Sequence, residues 1–186
     1  MQVPPSATPR EPSEIPILES ARLRLRPPRL SDVEPLAAMW GDPEHVAFIG
    51  ARTRPPAEVF ASVQRHIGCW YLVGYGFWVL ESLEDGSVLG EAGFLPGMRA
   101  MDPSVHDMPE AGWSIAKTHW GQGLATEALQ ACHRWGDTAL PFTRTACVIE
   151  HGNLASVRVA DKCGYTKQAD SKLGDSPVGL YVRALS

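Results

Sequence analysis

The chain has 186 residues, with 17 Lys and Arg against 21 Asp and Glu, a formal charge of −4, and 44% hydrophobic residues. Such a length and composition suit one globular domain with its own core and exclude fibrous, collagenous and wholly disordered classes. The acidic balance offers no diffuse attraction toward nucleic acid or anionic lipid; the local run Arg22, Arg24, Arg26 and Arg29 alternates with leucine as a strand with one solvated face does.

The first 16 residues carry five prolines and no apolar stretch, which predicts a flexible leader followed by a single domain over 17–186. "LESARLRLRPP" then reads as a strand, and "SDVEPLAAMWGDP" as a short helix opened by a Ser31 and Glu34 capping box and closed by Gly41 and Pro43. "PPAEVFASVQRHIGCW" places Val59, Phe60, Val63 and Ile67 on a helical stripe behind proline and Glu58. "GFWVLESLEDGSVLGEAGF" sets two β-rich runs around Asp85-Gly86, a hairpin signal.

A methionine-bearing loop with Met98, Met101 and Met108 precedes a further strand, "EAGWSIA", and either covers a substrate or is an ornament. From Leu124 to about Ala139 a helix is expected, ended by Pro141, with "RTACVIE" behind it as a buried strand. Asn153 opens another helix that Gly164 closes, and "PVGLYVRAL" is the last strand. The order of elements predicts a mixed sheet flanked by helices.

Cys69, Cys132, Cys147 and Cys163 form no Cys-x-x-Cys pair and the six histidines no His-x-x-x-His, so no metal site is expected and the thiols read as buried and structural. The longest uncharged run, Ile67 to Leu80, is 14 residues and broken by glycine. That falls short of the roughly 20 apolar residues of a membrane span, and a cytoplasmic location is expected.

The loop before the third helix, "KTHWGQGLATEALQA", carries Gly121 and Gly123 one residue apart. Glycines there let backbone N–H groups approach a ligand closely, and a helix start adds unpaired donors and partial positive charge, a combination suited to phosphate. A tight turn would account for the same two residues.

"WGQGLATEA" and "NLASVRVADKCGY", in that order, resemble the GNAT superfamily of acyl-CoA-dependent N-acetyltransferases, and within it the RimJ and RimL ribosomal-protein N-terminal acetyltransferase branch. "LESARLRLRPPRLSDVEPL", "GSVLGEAGF" and "EAGWSIAKTHWGQGLATEAL" are similar to that branch's opening, central hairpin and cofactor strand, so the likeness spans about Ile17 to Leu185. It implies an α/β (α+β) fold with a mixed, mostly antiparallel central sheet of about six to seven strands, flanked by about four helices, with splayed middle strands that hold acyl-CoA. It implies acetyl-CoA as co-substrate, no metal, and an acceptor that is a protein N-terminus or a small-molecule amine. A homodimer is a further implication of the resemblance.

By the same resemblance, Gly121, Gln122, Gly123, Leu124, Ala125 and Thr126 hold the pyrophosphate, while backbone groups of Trp113, Ser114 and Ile115 pair with pantetheine and supply an oxyanion donor. Trp120 stands where the superfamily pattern has Arg or Gln, as an aromatic commonly does in this branch. Asn153 bonds the pantetheine arm or merely caps its helix, and Ser156 lies near the sulfur or merely helps satisfy that helix start. Arg158, Lys162 and Gly164 read as packing, solvation and helix termination.

Glu110, on one strand face with Gly112 and Ser114, is the candidate base through water, with Glu91 and Glu150 behind it; a solvated carboxylate at a strand end is the alternative. The tyrosine acid of many family members is replaced by Ala160, and Tyr165 reads as core. Trp40, Phe48, Trp70, Trp78 and the Met98 to Met108 loop are candidate acceptor-pocket residues, or core. The function expected is N-acetyl transfer to a primary amine; a non-catalytic acyl-CoA-binding sensor or assembly module is the alternative. A nucleotide-binding loop is disfavoured because no Gly-Lys-Ser/Thr follows.

Overall fold

A computed structural model describes Thr8, Arg10, Glu11 and residues 14–185. Eight strands form one sheet: β1 (Leu18–Glu19), β2 (Leu23–Arg26), β3 (Phe77–Ser82), β4 (Val88–Pro96), β5 (Pro109–Ile115), β6 (Arg144–Glu150), β7 (Thr166–Leu173) and β8 (Ser176–Ala184). Their spatial order is β1-β2-β3-β4-β5-β6-β8-β7. Every neighbouring pair is antiparallel except β5 and β6. Five α-helices accompany them: α1 (Val33–Trp40), α2 (Pro43–Val46), α3 (Pro56–Val73), α4 (Leu124–Ala139) and α5 (Leu154–Lys162).

The sheet exceeds the expected six to seven strands because β1 is only two residues long and β7, "TKQADSKL", is a polar edge strand with no apolar alternation to reveal it. α2 is the helix beyond the expected four, a single turn capped by the Asp42 carboxylate on the Glu44 N–H at 2.9 Å.

Strand alternation sends Trp78, Leu80, Ala92 and Phe94 to one face, where they form the main core with Leu124, Ala128, Leu129 and Cys132 of α4. Val79 goes to the other face and packs with Leu36, Met39 and Trp40 of α1 and Val59 and Val63 of α3. The same parity carries Glu91, Glu110, Gly112 and Ser114 to the α1 and α3 face, since Glu91 pairs with Val79 and with Ser114. α3 ends where Gly74 takes a left-handed conformation, φ 79°, which glycine adopts without a Cβ penalty.

Three local expectations are corrected. The capping box before α1 is built by Asp32, not by Ser31 and Glu34: its carboxylate accepts the Arg29 N–H at 2.6 Å and both Arg26 guanidinium N–H groups at 2.8 Å. Arg26 is therefore buried rather than on a solvated face, because Asp32 and Glu81 both pair with it. Of the segment expected to be leader, Ile15 is in the main core and the Pro16 carbonyl accepts the Trp78 indole N–H at 2.8 Å. Residues 1–7, 9, 12 and 13 lie outside the described residues.

The methionine loop is anchored rather than free. Val105 and Met108 pack on Ala146 of β6 and Leu180 of β8, and Ser171 Oγ donates to the Asp102 carbonyl at 2.6 Å. All four cysteines are free thiols, three buried and Cys69 half-buried. Among the described residues no helix is long and apolar enough to cross a membrane.

Candidate active site

β5 and β6 pair at one register position, Glu110 with Ala146, and part beyond it. The gap holds the site, and its lining follows from the β4–β5 ladder. The Ala116 N–H donates to the Leu89 carbonyl, which makes that opposed pair hydrogen-bonded; alternation makes Ser114 with Glu91 hydrogen-bonded too and leaves Trp113 and Ile115 turned away from β4. The backbone of Trp113 and Ile115 thus faces the gap, whereas that of Ser114, expected to serve the ligand, is committed to β4. Part of Ile115 is also taken, because its carbonyl accepts the Trp120 indole N–H at 2.6 Å.

A cavity of about 520 Å³ opens along the gap. Its walls include Trp113, Ser114, Ile115, Gly121, Gly123, Leu124, Ala125, Thr126, Asn153 and Ser156, which are distant in sequence and meet here. Gln122 does not line it: its carbonyl accepts from Arg22 at 3.0 Å on the outer side of the loop. Gly121 (φ 74°) and Gly123 (φ 78°) are left-handed, and a Cβ at Gly121 would meet nothing within 4 Å, so the loop is an open cradle at the start of α4. A second helix start points here, for the Asn153 side-chain carbonyl accepts the Ser156 N–H at 3.1 Å. Asn153 is thus a cap and a lining residue at once.

Sequence reading missed His45 and Ile49, which reach this cavity from α2 and the segment after it, and named Phe48, which also reaches it, only as a candidate for the acceptor pocket. It also assigned Arg158 and Lys162 to packing and solvation, although both line the cavity. Their spacing from Ala155, three and then four residues, is the helical-face signal that could have found them. His45 lies edge-on to Trp40 at 5.0 Å and beside Trp120, with both ring nitrogens buried and, among the described residues, outside good hydrogen-bond geometry. Burial pulls its pKa down against the pull of Asp42 and Glu91, so the ring is neutral near pH 7.

On the α1 and α3 side lies a smaller cavity of about 180 Å³ that shares Phe48, Ile49, Trp113, Ser114, Asn153 and Ser156 with the first. Glu91, Glu110 and Glu150 line it together with Arg54, Arg65 and Arg99. Glu110 is not a free solvated carboxylate, since Arg99 Nε lies 2.7 Å from both of its oxygens. Glu91 is buried: one oxygen accepts the Trp40 indole N–H at 3.0 Å and the other lies 3.4 Å from His66 Nδ1. Burial pushes its carboxyl up, but His66, the indole N–H and Arg54 outweigh that and hold it below the usual range.

Of the aromatic candidates, Trp40 and Phe48 line this cavity. Trp70 and Trp78 do not; they are fully buried and meet edge to face at 4.7 Å in the main core, on the opposite face of the sheet from Val79 and Glu91. Tyr165 is core as expected, its hydroxyl 3.0 Å from His133 Nε2 and 2.9 Å from Thr145 Oγ1.

The protein family described as "Acetyltransferase (GNAT) domain" matches residues 22–166. The chain belongs to the GNAT acetyltransferases. YkkB, an uncharacterized protein of Bacillus subtilis, is 34% identical over 112 residues, 59% of this chain and 63% of that protein, so the match spans less than two thirds of that relative. A GNAT-family acetyltransferase structure from Bordetella pertussis is 29% identical, covers 91% of this chain and 99% of that one, and superposes with a TM-score of 0.79. RimL, a ribosomal L7/L12 α-N-protein acetyltransferase solved with coenzyme A, shares the fold at 19% identity and a TM-score of 0.71, covering 91% of this chain and 98% of that one.

GNAT acetyltransferases use acetyl-CoA as co-substrate, and the larger cavity of this member fits it. The glycine cradle at the start of α4 would hold the pyrophosphate, with Arg158 and Lys162 adding positive charge along α5. Trp113, facing the gap, would pair with the pantetheine amides in the manner of an added strand.

Proposed function

We propose that the acceptor, a protein N-terminal α-amine or a small-molecule amine, enters the smaller cavity and attacks the thioester directly. The observation that carries this reading is the meeting of the two cavities where β5 and β6 part, with Ser114, Asn153 and Ser156 common to both. Bound acetyl-CoA supplies the acetyl thioester; the rest falls to this chain. Glu110 takes the amine proton through a water as the new C–N bond forms, and Arg99 holds its carboxylate in place. The N–H of Trp113 or Ile115 stabilises the oxyanion, worth roughly 3 kcal/mol in comparable sites. Ser156 orients the thioester, and its hydroxyl or solvent supplies the proton to the departing thiolate.

The test is acetyl-CoA-dependent thiol release against N-terminal peptides, amino acids, polyamines and aminoglycosides, with a blank lacking amine. Glu110→Gln is expected to lower kcat by roughly 100- to 1,000-fold while acetyl-CoA affinity measured by calorimetry stays the same. A Glu110→Gln enzyme with unchanged kcat would remove the carboxylate from the proposal and turn attention to Glu91 and Glu150.

A second reading, an acyl-CoA-binding module without turnover, draws on Ala160, a fully buried methyl where many family members have a tyrosine hydroxyl. Tight acetyl-CoA binding with thiol release no faster than the amine-free blank for every acceptor would favour it.

A further inference from the structure

Three carboxylates and three guanidiniums line the smaller cavity, but they are not matched in pairs. Arg99 is spent on Glu110, and Glu91 on the Trp40 indole and His66. Arg54 and Arg65 also line the cavity, and among the described residues no carboxylate lies within ion-pair distance of either. The Arg54 guanidinium lies 3.6 Å above the centre of the Trp40 ring, and the Arg54 N–H donates to the Trp40 carbonyl at 3.0 Å. It is thus held by stacking and backbone, not by a salt bridge. Burial pulls its pKa down, and the attraction of Glu91, which lies beyond ion-pair contact, does not make up the difference. At the β6 end the Glu150 carboxylate accepts the Gly50 N–H at 3.2 Å, and among the described residues no cation lies within ion-pair distance of it.

Among the described residues, one small cavity therefore presents two guanidiniums and one carboxylate, Glu150, that belong to no ion pair. That is the complement of a zwitterion. A polyamine would set a second positive charge against Arg54 and Arg65, and the volume, about 180 Å³, is below the roughly 300–1,000 Å³ of sites for drug-sized ligands.

Resting on the reading that this cavity admits the acceptor, we infer that the acceptor is a small amino carboxylate. Its carboxylate is bound by Arg54 and Arg65, and its amine is turned toward Glu150 and the gap. The guanidinium fork suits a carboxylate in two parallel hydrogen bonds, and its pre-organised stacking on Trp40 lowers the ordering cost of binding. The amine displaces the thiolate as before, so the carboxylate is spectator and anchor.

The test compares kcat/KM of the full-length protein for methionine, phenylalanine and aspartate, each beside its α-amide and its decarboxylated amine, with spermidine and a serine-initiated tetrapeptide as further arms. The free carboxylate is expected to be preferred over amide and amine by roughly 10- to 100-fold, the loss expected when one partner of a charge-assisted pair is removed. Arg54→Gln should collapse that preference to about threefold or less, Arg54→Lys should restore part of it, and Arg65→Gln, on an exposed position, should narrow it without perturbing the fold. A role confined to folding would lower all acceptors together and leave the ratio alone. Equal or better use of amides, spermidine or the tetrapeptide, or a ratio untouched by both Gln variants, would overturn the inference while leaving N-acetyl transfer standing. Acetyl-CoA binding with no release on any arm would overturn both.

Discussion

The two cavities are built in different ways. The cofactor side takes most of its wall from two unbroken stretches, residues 113–126 and 152–162, and much of its chemistry is backbone: an open glycine cradle, two helix starts and the gap-facing edge of β5. The smaller cavity, proposed for the acceptor, draws side chains from α1, α3, β3, β4, β5, β6 and the segments around them, and its chemistry is charge. Backbone geometry is written in short local patterns, whereas a constellation of charges depends on which distant elements a fold brings together.

The sharpest way to break this contrast is to loosen one side only. Asp32→Ala removes the carboxylate that pairs with buried Arg26 and fixes the start of α1, the helix that carries Trp40 into the acceptor cavity. The expected cost is about 3–5 kcal/mol in urea unfolding, because Arg26 keeps its burial and loses a partner. Acceptor KM should rise while acetyl-CoA affinity holds, and parallel losses of both would mean that the two sides are not separable.

A smaller effect is expected beneath the cofactor side. His133 of α4 is buried against Tyr165, and burial, with a further push from Arg183, depresses its pKa to about 4. The folded state thus resists a proton that the unfolded chain accepts near pH 6.5. Stability from this residue is full above pH 6.5 and lost as pH falls toward 4, amounting to roughly 3 kcal/mol. Urea midpoints of the wild type between pH 7 and pH 4 should fall more steeply than those of His133→Gln, and equal slopes would refute the assignment.

Smaller again is Gly123→Val. A β-branched residue at φ 78° costs about 1–2 kcal/mol and tilts the first N–H groups of α4. Calorimetry should show acetyl-CoA affinity falling roughly 30-fold, the worth of one or two charge-assisted hydrogen bonds, with acceptor preference unchanged.

Legibility in the sequence followed the same divide. The Asp85-Gly86 hairpin, the α4 stripe, the Asn153 cap and the Gly164 stop (φ 83°) were readable because each is set by residues within a turn or two of one another, whereas of the α3 stripe Val59 and Val63 are buried but Phe60 is exposed. β7 was not, since a polar edge strand is held by its partner β8 rather than by its own pattern. Ser31 and Glu34 had the spacing of a capping box, but Asp32 could satisfy the Arg29 N–H and the buried Arg26 together. Trp78 looked like a pocket residue only until sheet parity sent it to the far face, and Trp70 of α3 packs against it there. Gln122 sits in the right motif, and Arg22, 100 residues away in sequence, draws its carbonyl outward.

By itself, then, the sequence determined the GNAT family, most of the helices and strands, and the glycine loop and Asn153 helix that frame the cofactor site, because periodicity, turn chemistry and helix ends act over a few residues. The tertiary structure alone decided which carboxylates and guanidiniums share the smaller cavity and which of them are already paired. It also decided that β5 and β6 part after one register position, leaving Trp113 and not Ser114 to face the gap. Those outcomes depend on strand parity and long-range packing, which a linear pattern of residue types leaves open.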